Sequence, residues 1–215
     1  MTDKVSAQGF SLEGKSACLI GCGGLGCNIA VHLVGAGVER LIICDFDTVS
    51  ESNLNRQFVY TKNDITKPKT DCMKRFLDSF GDTKVDAHNI KVKSPGDLIF
   101  AKDCDIMLLA VDNSDARQIA VEFCNDNDIP LVFGGIDGFY GMAYLYIPKV
   151  SPSPAIEGDG AKRNVSCTAG IIGSAQAALA IQYLIENNAG LSGKLLVYDH
   201  DVFDTLRINK KTNSP

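Results

Sequence analysis

Short apolar runs alternate along this chain with stretches in which apolar residues recur at helical spacing. Residues 16–20 form the first such run, and residues 106–111, within a strand predicted at residues 105–112, form a continuous apolar run of the kind that is buried on both faces of a sheet. In residues 68–80 the apolar positions follow the period of an amphipathic helix that has proline in its first turn. This alternation predicts an α/β fold, a Rossmann-like, mostly parallel sheet with flanking helices.

The same pattern predicts the order of the elements. Strands are expected at residues 16–20, 41–46, 84–92, 105–112, 129–133 and 141–147, followed by a C-terminal antiparallel hairpin at residues 194–199 and 202–208. Helices are expected at residues 24–34, 68–80 and 115–127, together with a late uncharged helix that ends at residue 185. Residues 148–166 hold three prolines and two glycines without periodicity, and we expect a mobile crossover loop there.

Length and composition set further limits. The 215 residues, of which 45% are hydrophobic, suit one domain spanning residues 1–215. With 21 Lys and Arg against 26 Asp and Glu, the net charge of -5 argues against a nucleic-acid partner. The late helix carries Ser174, Gln176 and Gln182, which favours a buried helix over a membrane span. The first fifteen residues lack a signal-peptide core, so a cytoplasmic location is expected.

The eight cysteines lie mostly in apolar runs, as reduced thiols that act as small hydrophobic residues do. No Cys-x-x-Cys pair occurs, and zinc is therefore not expected.

A glycine motif follows the first predicted strand and opens the first predicted helix. Gly21, Gly23 and Gly26 form G-x-G-x-x-G within the segment GCGGLG, which also contains Gly24. Glycines in this context let the backbone approach a phosphate at the helix N-terminus. Asp45, at the end of the next strand, is placed to bind ribose hydroxyls. The motif alone predicts dinucleotide binding, with close strand–helix packing as the purely structural alternative.

Cationic side chains change this interpretation. Arg56 and Lys69 lie in and beyond the polar stretch DFDTVSESNLNRQF, and cations suit the β- and γ-phosphates of a nucleoside triphosphate. Asp112 follows a buried strand at the same expected edge of the sheet and could hold Mg²⁺. In the alternative interpretation, Arg56 and Lys69 are a solvated charge pair and Asp112 only caps the following helix.

These motifs together resemble the bacterial, sulfur-carrier-activating branch of the ubiquitin-activating enzyme superfamily, the group of ThiF, MoeB and HesA. The resemblance rests on GCGGLG, DFDTVSESNLNRQ, KPK, VDNSDAR and the late AGIIGSAQAALAIQYL segment, and it covers residues 16–207. It implies that ATP and Mg²⁺ are bound. By this resemblance, Asp45 would bind the ribose, Lys69 would contact the phosphates and Asp112 would bind magnesium. The rest of the nucleotide and phosphate site would be formed by Asp47, Asn53, Arg56 and Gln57.

The chemistry implied by the resemblance is adenylation of the C-terminal carboxylate of a small ubiquitin-like sulfur carrier that ends in Gly-Gly. That carboxylate is already ionised at neutral pH, so no general base is needed. Arg56, Lys69 and Mg²⁺ at Asp112 would stabilise the departing pyrophosphate. The resemblance also implies a homodimer, as does the late helix, which has apolar residues on more than one face.

The sequence departs from the family pattern at three places. SPSPAIEGDG stands where many members carry zinc-binding cysteines, and the first arginine is Arg40, which argues against a composite ATP site that uses an N-terminal arginine of the partner subunit. Cys167, between the crossover loop and the late helix, is a candidate for an acyl-carrying or redox role, with simple packing as the alternative.

Three other functions share part of these features. They are an ATP-dependent tRNA-modifying dehydratase of the same superfamily, a nicotinamide oxidoreductase that would share only the glycines and Asp45, and a non-catalytic nucleotide-binding scaffold.

Overall fold

Five parallel strands form one half of an eight-stranded sheet in the computed structural model, which describes residues 10–153 and 163–208. The parallel half has the order β3-β2-β1-β4-β5. Three antiparallel strands extend it in the order β6-β7-β8. The predicted fold class is confirmed. The strands are β1 (Ser16–Ile20), β2 (Arg40–Cys44), β3 (Lys84–His88), β4 (Ile106–Leu109), β5 (Leu131–Asp137), β6 (Tyr140–Tyr146), β7 (Lys194–Asp199) and β8 (Val202–Arg207).

Helices cover both faces of this sheet. One face packs against α1 (Gly24–Gly35), α2 (Lys69–Phe80) and α4 (Ser166–Glu186). The other face packs against α3 (Ser114–Asn127) and a 3-10 helix at Pro95–Ala101, which the sequence pattern did not predict. Adjacent residues of β1 belong to different cores, Leu19 to the first and Ile20 to the second. This double burial explains why the central strands are continuous apolar runs.

Several predicted strand ends were wrong, and three of the errors share a cause. The strands predicted to end at residues 46, 92 and 112 end at Cys44, His88 and Leu109, because the following residues leave the sheet and line a cleft. The strand predicted at residues 129–133 instead runs to Asp137, since Gly134 and Gly135 continue the ladder with β6.

The late helix α4 packs against α1, β5 and β6. Its length and hydropathy would suit a membrane span, but 44% of its most apolar window is buried inside the domain. Gln176 is completely buried and donates a hydrogen bond from Nε2 to the Leu109 carbonyl at 2.8 Å. The prediction of a buried, packed helix is therefore confirmed.

Much of the predicted crossover loop, residues 154–162, lies outside the described residues. The mobility predicted for residues 148–166 therefore stays a prediction. On the two sides of the gap, the Tyr144 hydroxyl donates to the Pro152 carbonyl at 2.8 Å, and Asn164 forms an isolated bridge with Gly138.

Seven of the eight cysteines are buried and unpaired, as predicted for small packing residues, and only Cys167 is exposed. Burial raises the pKa of Cys27 and that of Cys44 to about 12, so both stay neutral thiols at pH 7. Within residues 10–153 and 163–208, no group of three or more His, Cys, Asp or Glu side chains could hold a metal ion. The absence of zinc remains a prediction for the whole chain.

Gly26 offers a direct test of the packing between β1 and α1. A Cβ atom at this position would lie 2.1 Å from the Gly21 carbonyl oxygen, and backbone cannot move aside as a flexible side chain can. We expect Gly26→Ala to lower the free energy of unfolding by about 1–3 kcal/mol or more, measured by denaturant titration. Gly96→Ala is the control, because its Cβ would meet nothing closer than 3.7 Å. Equal stability of the two variants would contradict the proposed packing.

Candidate functional site

A cleft of about 780 Å³ opens at the carboxyl edge of the parallel strands. It collects side chains that lie far apart in the sequence, because the segments after β1, β2 and β4 all emerge at this edge. Of the predicted residues, Gly26 and Cys167 do not line it. The predicted residues that line it are Gly21, Gly23, Gly24, Asp45, Asp47, Asn53, Arg56, Gln57, Lys69 and Asp112.

The glycine turn brings the N-terminus of α1 into this cleft. Gly21 has φ +100°, a conformation that favours glycine, and a Cβ there would lie 2.5 Å from the Ala110 carbonyl oxygen. Gly23 is the N-cap of α1, makes no side-chain cap, and the first turn contains no acidic residue. The helix therefore presents its first amide groups and its positive dipole end without a competing carboxylate in that turn.

Asp45 stands beside the glycine turn and is held by two backbone amides. The Cys22 N–H donates to its Oδ2 at 2.6 Å, and the Asp47 N–H donates to its Oδ1 at 2.8 Å. Burial raises the pKa of Asp45 above its ordinary value of 3.8, although Lys69 and these amides oppose the effect. The carboxylate is thus fixed in orientation at the rim of the turn.

Lys69 is the first residue of α2, and only 7% of its side chain is exposed. Its Nζ lies 2.9 Å from Oδ2 of Asp47, whose backbone oxygen also accepts a hydrogen bond from the Lys69 N–H at 2.9 Å. An ammonium group has three donors, so this ion pair leaves donors for a further anion in the cleft. The alternative in which Lys69 is merely a solvated charge is wrong.

The polar stretch at residues 47–66 folds as a tight lobe over the cleft. It contains two 3-10 helices, Glu51–Asn53 and Lys62–Asp64. The buried carboxylate of Asp64 anchors the lobe, because it accepts hydrogen bonds from the Thr61 N–H at 2.9 Å and from Nη2 of Arg75 at 2.6 Å. Some polar residues of the lobe therefore hold it together, whereas others face the cleft.

Besides Asp47, three side chains of this lobe face the cleft: Asn53, Arg56 and Gln57. Arg56 donates from Nη1 to the Ser52 carbonyl and to Oδ1 of Asn55, both at 2.9 Å, and has no carboxylate partner among the described residues. Gln57 is 3% exposed, and its Oε1 has no hydrogen-bond partner within the described part of the chain. The lobe thus offers one uncompensated positive charge and one unsatisfied buried acceptor.

Asp112 lies on the turn between β4 and α3 and is exposed to the cleft. The alternative that Asp112 caps α3 is wrong, because the N-cap is Asn113, whose Oδ1 accepts from the Ala116 N–H at 2.7 Å. The Asp112 carboxylate has no hydrogen-bond or ion-pair partner in residues 10–153 and 163–208, so it remains available to a ligand.

Sequence reasoning missed part of the lining. Phe46 and Lys91 form one wall, with the Lys91 ammonium 5.0 Å from the Phe46 ring centroid, and Arg117, Ile136 and Asn164 also face the cleft. Phe46 lay within a quoted motif, and the arginine of VDNSDAR is Arg117, so both carried a signal. Lys91 fell within the strand predicted at residues 84–92. Because β3 ends at His88, Lys91 instead leaves the sheet and lines the cleft.

Four further residues lie away from the cleft. Cys167 is the second residue of α4 and is exposed, and its suggested acyl-carrying role stays a prediction. His32 is exposed and its Nε2 lies 3.0 Å from the Ser174 hydroxyl. His200 and Asp201 form the turn between β7 and β8, as the sequence indicated.

The sheet order and the position of the cleft define a Rossmann-like α/β domain whose candidate site lies at the carboxyl edge of its parallel strands. The chain belongs to the ThiF family, whose family model matches residues 8–215. The resemblance inferred from the motifs is confirmed.

Two relatives illustrate this membership, and one solved structure shows the same fold. The chain is 28% identical over 223 residues to "Adenylyltransferase and sulfurtransferase MOCS3" of Aedes aegypti, a match that covers 97% of this chain and 51% of the relative. It is 29% identical over 205 residues to "Sulfur carrier protein adenylyltransferase" of Thermus thermophilus, covering 87% of this chain and 76% of the relative. The crystal structure of Escherichia coli MccB with ATP superposes with a TM-score of 0.82 at 19% identity, covering 94% of this chain and 65% of that one.

The matched relatives are longer than this chain. The chain spans about half the length of the first relatives it matches, at 51%, 48% and 51% of their sequences. The likeness to MccB, at 19% identity, establishes the fold.

The raised pKa of Asp45 predicts a specific pH dependence. The folded chain binds this proton more tightly than the unfolded chain, so the native state loses stability as the pH rises from about 3.8 through the raised pKa. Asp45→Asn removes that loss. The unfolding free energy of the variant minus that of the wild type should therefore increase between about pH 4 and about pH 7, as measured by urea titration. Asp126→Asn, on the exposed side of α3, controls for loss of a charge. A pH-independent difference for Asp45→Asn would disprove the effect.

Proposed function

We propose that this chain catalyses the ATP- and Mg²⁺-dependent adenylation of the C-terminal carboxylate of a small ubiquitin-like sulfur carrier ending in Gly-Gly, with release of pyrophosphate. The observation that carries the proposal is the convergence of the α1 N-terminus, Asp45, Arg56 and Lys69 on one cleft. The relatives from Aedes aegypti and Thermus thermophilus, both named adenylyltransferases, support it, and the name of the second specifies a sulfur carrier protein.

Different residues of the cleft would bind different parts of the nucleotide. The amides at Gly23 and Gly24 begin a helix that attracts phosphate, and the small glycines allow close approach. Asp45, oriented by its two amide donors, would accept hydrogen bonds from ribose hydroxyls. Arg56 and Lys69 would face the β- and γ-phosphates, and the buried Gln57 would complete the phosphate site with Asn53.

The donor set suits magnesium in a particular way. Mg²⁺ takes one or two carboxylates together with substrate phosphates and water, and it does not require a dedicated all-protein cage. Asp112 offers an exposed, unpartnered carboxylate in the described part of the chain, and it belongs to no group there of three or more His, Cys, Asp or Glu side chains that could hold a metal ion. Bound at Asp112, the ion would supply Lewis-acid neutralisation of phosphate charge.

The protein's part in the reaction is positioning and charge neutralisation. The carrier's C-terminal carboxylate is ionised at pH 7 and attacks the α-phosphorus, forming an acyl–phosphate bond as the bond to the pyrophosphate oxygen breaks. The Arg56 guanidinium, which has only neutral partners among the described residues, can stabilise the negative charge that develops on the pyrophosphate. Lys69, whose Nζ is held by Asp47, can contribute a second positive charge.

Nucleotide selectivity separates this proposal from an oxidoreductase. ATP with Mg²⁺ should raise the melting temperature, because a ligand that binds only the folded state stabilises it by mass action. NAD and NADP at the same concentration should leave it unchanged, since their pyrophosphate carries no γ-phosphate for the Arg56 and Lys69 cations. Thermal-shift measurements give the comparison. Stabilisation by NAD but not by ATP would rule out the proposed activity.

Removal of either cation tests the chemical step. Arg56→Ala and Lys69→Ala should each lower carrier-dependent pyrophosphate exchange into ATP by about 10²-fold or more, as loss of single preorganised stabilisers does. Lys84→Ala is the matched control, because this exposed lysine lies at the opposite, amino end of β3. Near-normal exchange in both cleft variants, at matched melting temperature, would refute their assigned roles.

We infer in addition that the chain pairs as a two-fold dimer. All six residues of β8 are exposed, and Val202, Phe203 and Leu206 are 56%, 69% and 50% exposed, which leaves an apolar surface beside α4. Light scattering should give about twice the chain mass of 23.1 kDa, unchanged by a strong chelator because no zinc is needed. A monomer at micromolar concentration would argue against the dimer.

A further inference from the structure

The turn that carries Asp112, residues 110–113, is packed directly against the glycine turn. The Ala110 N–H donates to the Ile20 carbonyl at 2.8 Å, and the Ala110 carbonyl lies where any side chain on Gly21 would have to be. Further along, Asn113 begins α3 as its N-cap. The position of the Asp112 carboxylate therefore depends on a short stretch of backbone between two fixed points.

Arg117 holds the middle of this stretch. It is 9% exposed and reaches back from α3 so that its Nε and Nη2 lie 3.2 and 3.1 Å from the Val111 carbonyl oxygen. The guanidinium carbon lies 5.1 Å from the Phe133 ring centroid on β5. The Val111 carbonyl belongs to the peptide group that joins Val111 to Asp112, so this contact fixes the peptide plane immediately before Asp112.

Gln176, on α4, holds Leu109, the residue just before this turn. Its Nε2 donates to the Leu109 carbonyl, and its amide fills the space where a Cβ on Gly134 would be, at 2.3 Å. The Asp112 side chain itself has no partner among the described residues. Because nothing within that part of the chain restrains the carboxylate directly, its location is set by the backbone that Arg117 and Gln176 hold.

We propose that Arg117 is a positioning residue that orients Asp112 toward the bound cation by holding the Val111 carbonyl with two N–H donors. The proposal rests on the proposed function, since it assigns Asp112 to Mg²⁺. Burial of a guanidinium is unfavourable unless its donors are used, and the two-donor contact with a backbone oxygen is one that lysine cannot reproduce.

Arg117 also lines the cleft, so a direct contact with the nucleotide phosphates is the competing role. The two roles differ in their magnesium dependence. A positioning residue affects only the step in which the cation joins Asp112, whereas a phosphate contact would act with or without the cation.

The test titrates Mg²⁺ against the melting temperature of the full chain at fixed ATP, a readout that needs no carrier protein. In Arg117→Lys and Arg117→Met the Mg²⁺ concentration for half-maximal stabilisation should rise about 10-fold or more, as loss of a group that orients a metal ligand does. Stabilisation by ATP in excess EDTA should equal that of the wild type. Gln118→Ala, an exposed neighbour on α3, should behave as wild type. Weaker ATP binding in EDTA for Arg117→Met would overturn the positioning role in favour of a phosphate contact.

A double-mutant cycle with Asp112→Asn removes the remaining ambiguity. If Arg117 acts through Asp112, Arg117→Lys should change the Mg²⁺ midpoint of the Asp112→Asn variant by less than about 2-fold, because the group it positions is already gone. Independent, multiplicative losses would overturn the inference. Arg117→Lys keeps the charge and serves if Arg117→Met does not fold. A wild-type chain that shows no Mg²⁺-dependent response to ATP would overturn the proposed function and this inference together, whereas a wild-type response matched by both Arg117 variants would overturn this inference alone.

Discussion

The contact on which the rest of the structure depends is the close approach of the turn after β1 to the turn after β4. The Ala110 carbonyl occupies the space that a side chain on Gly21 would need, and the Gly21 carbonyl occupies the space that one on Gly26 would need. Two backbones can lie this close only where glycine removes the Cβ atom. The approach brings the first turn of α1 down onto the sheet edge, so the helix N-terminus opens into the cleft that Asp112 also faces.

Several charged and polar groups near this contact are incompletely compensated within the described part of the chain. Asp45 is partly buried beside buried thiols, and burial raises its pKa while two amides and Lys69 lower it. Burial thus disfavours the charged form of this carboxylate, although two amides and Lys69 favour it. Arg56 has only neutral partners among the described residues, and the buried Oε1 of Gln57 has no hydrogen-bond partner in that part of the chain. Such groups are typical of sites in which a ligand completes the bonding.

Helix α4 connects the antiparallel half of the sheet to the same site. Gln176 fills the space above Gly134 and holds the end of β4, Ile172 fills the space above Gly141 on β6, and Ala169 lies at the cleft beside Gly24. A helix that the sequence showed only as a long uncharged segment therefore packs its small and polar residues around the turns that form the cleft. Through the hydrogen bond from Gln176 to the Leu109 carbonyl, α4 contacts the end of β4, just before the Asp112 turn.

The sequence by itself determined the fold class, because hydrophobic periodicity reports burial, and double burial of parallel strands leaves continuous apolar runs such as residues 106–111. It also placed Gly21, Asp45 and Asp112 at one sheet edge, since the carboxyl ends of parallel strands must meet there, and the family resemblance assigned Arg56 and Lys69 to the same site. Only the tertiary structure decided that Lys69 is paired with Asp47, that Asn113 and not Asp112 caps α3, and that Arg117 and Gln176 hold the Asp112 turn. Those features depend on distances between segments remote in the chain, such as the 67 residues that separate Gln176 from Leu109, and local periodicity carries no information about them.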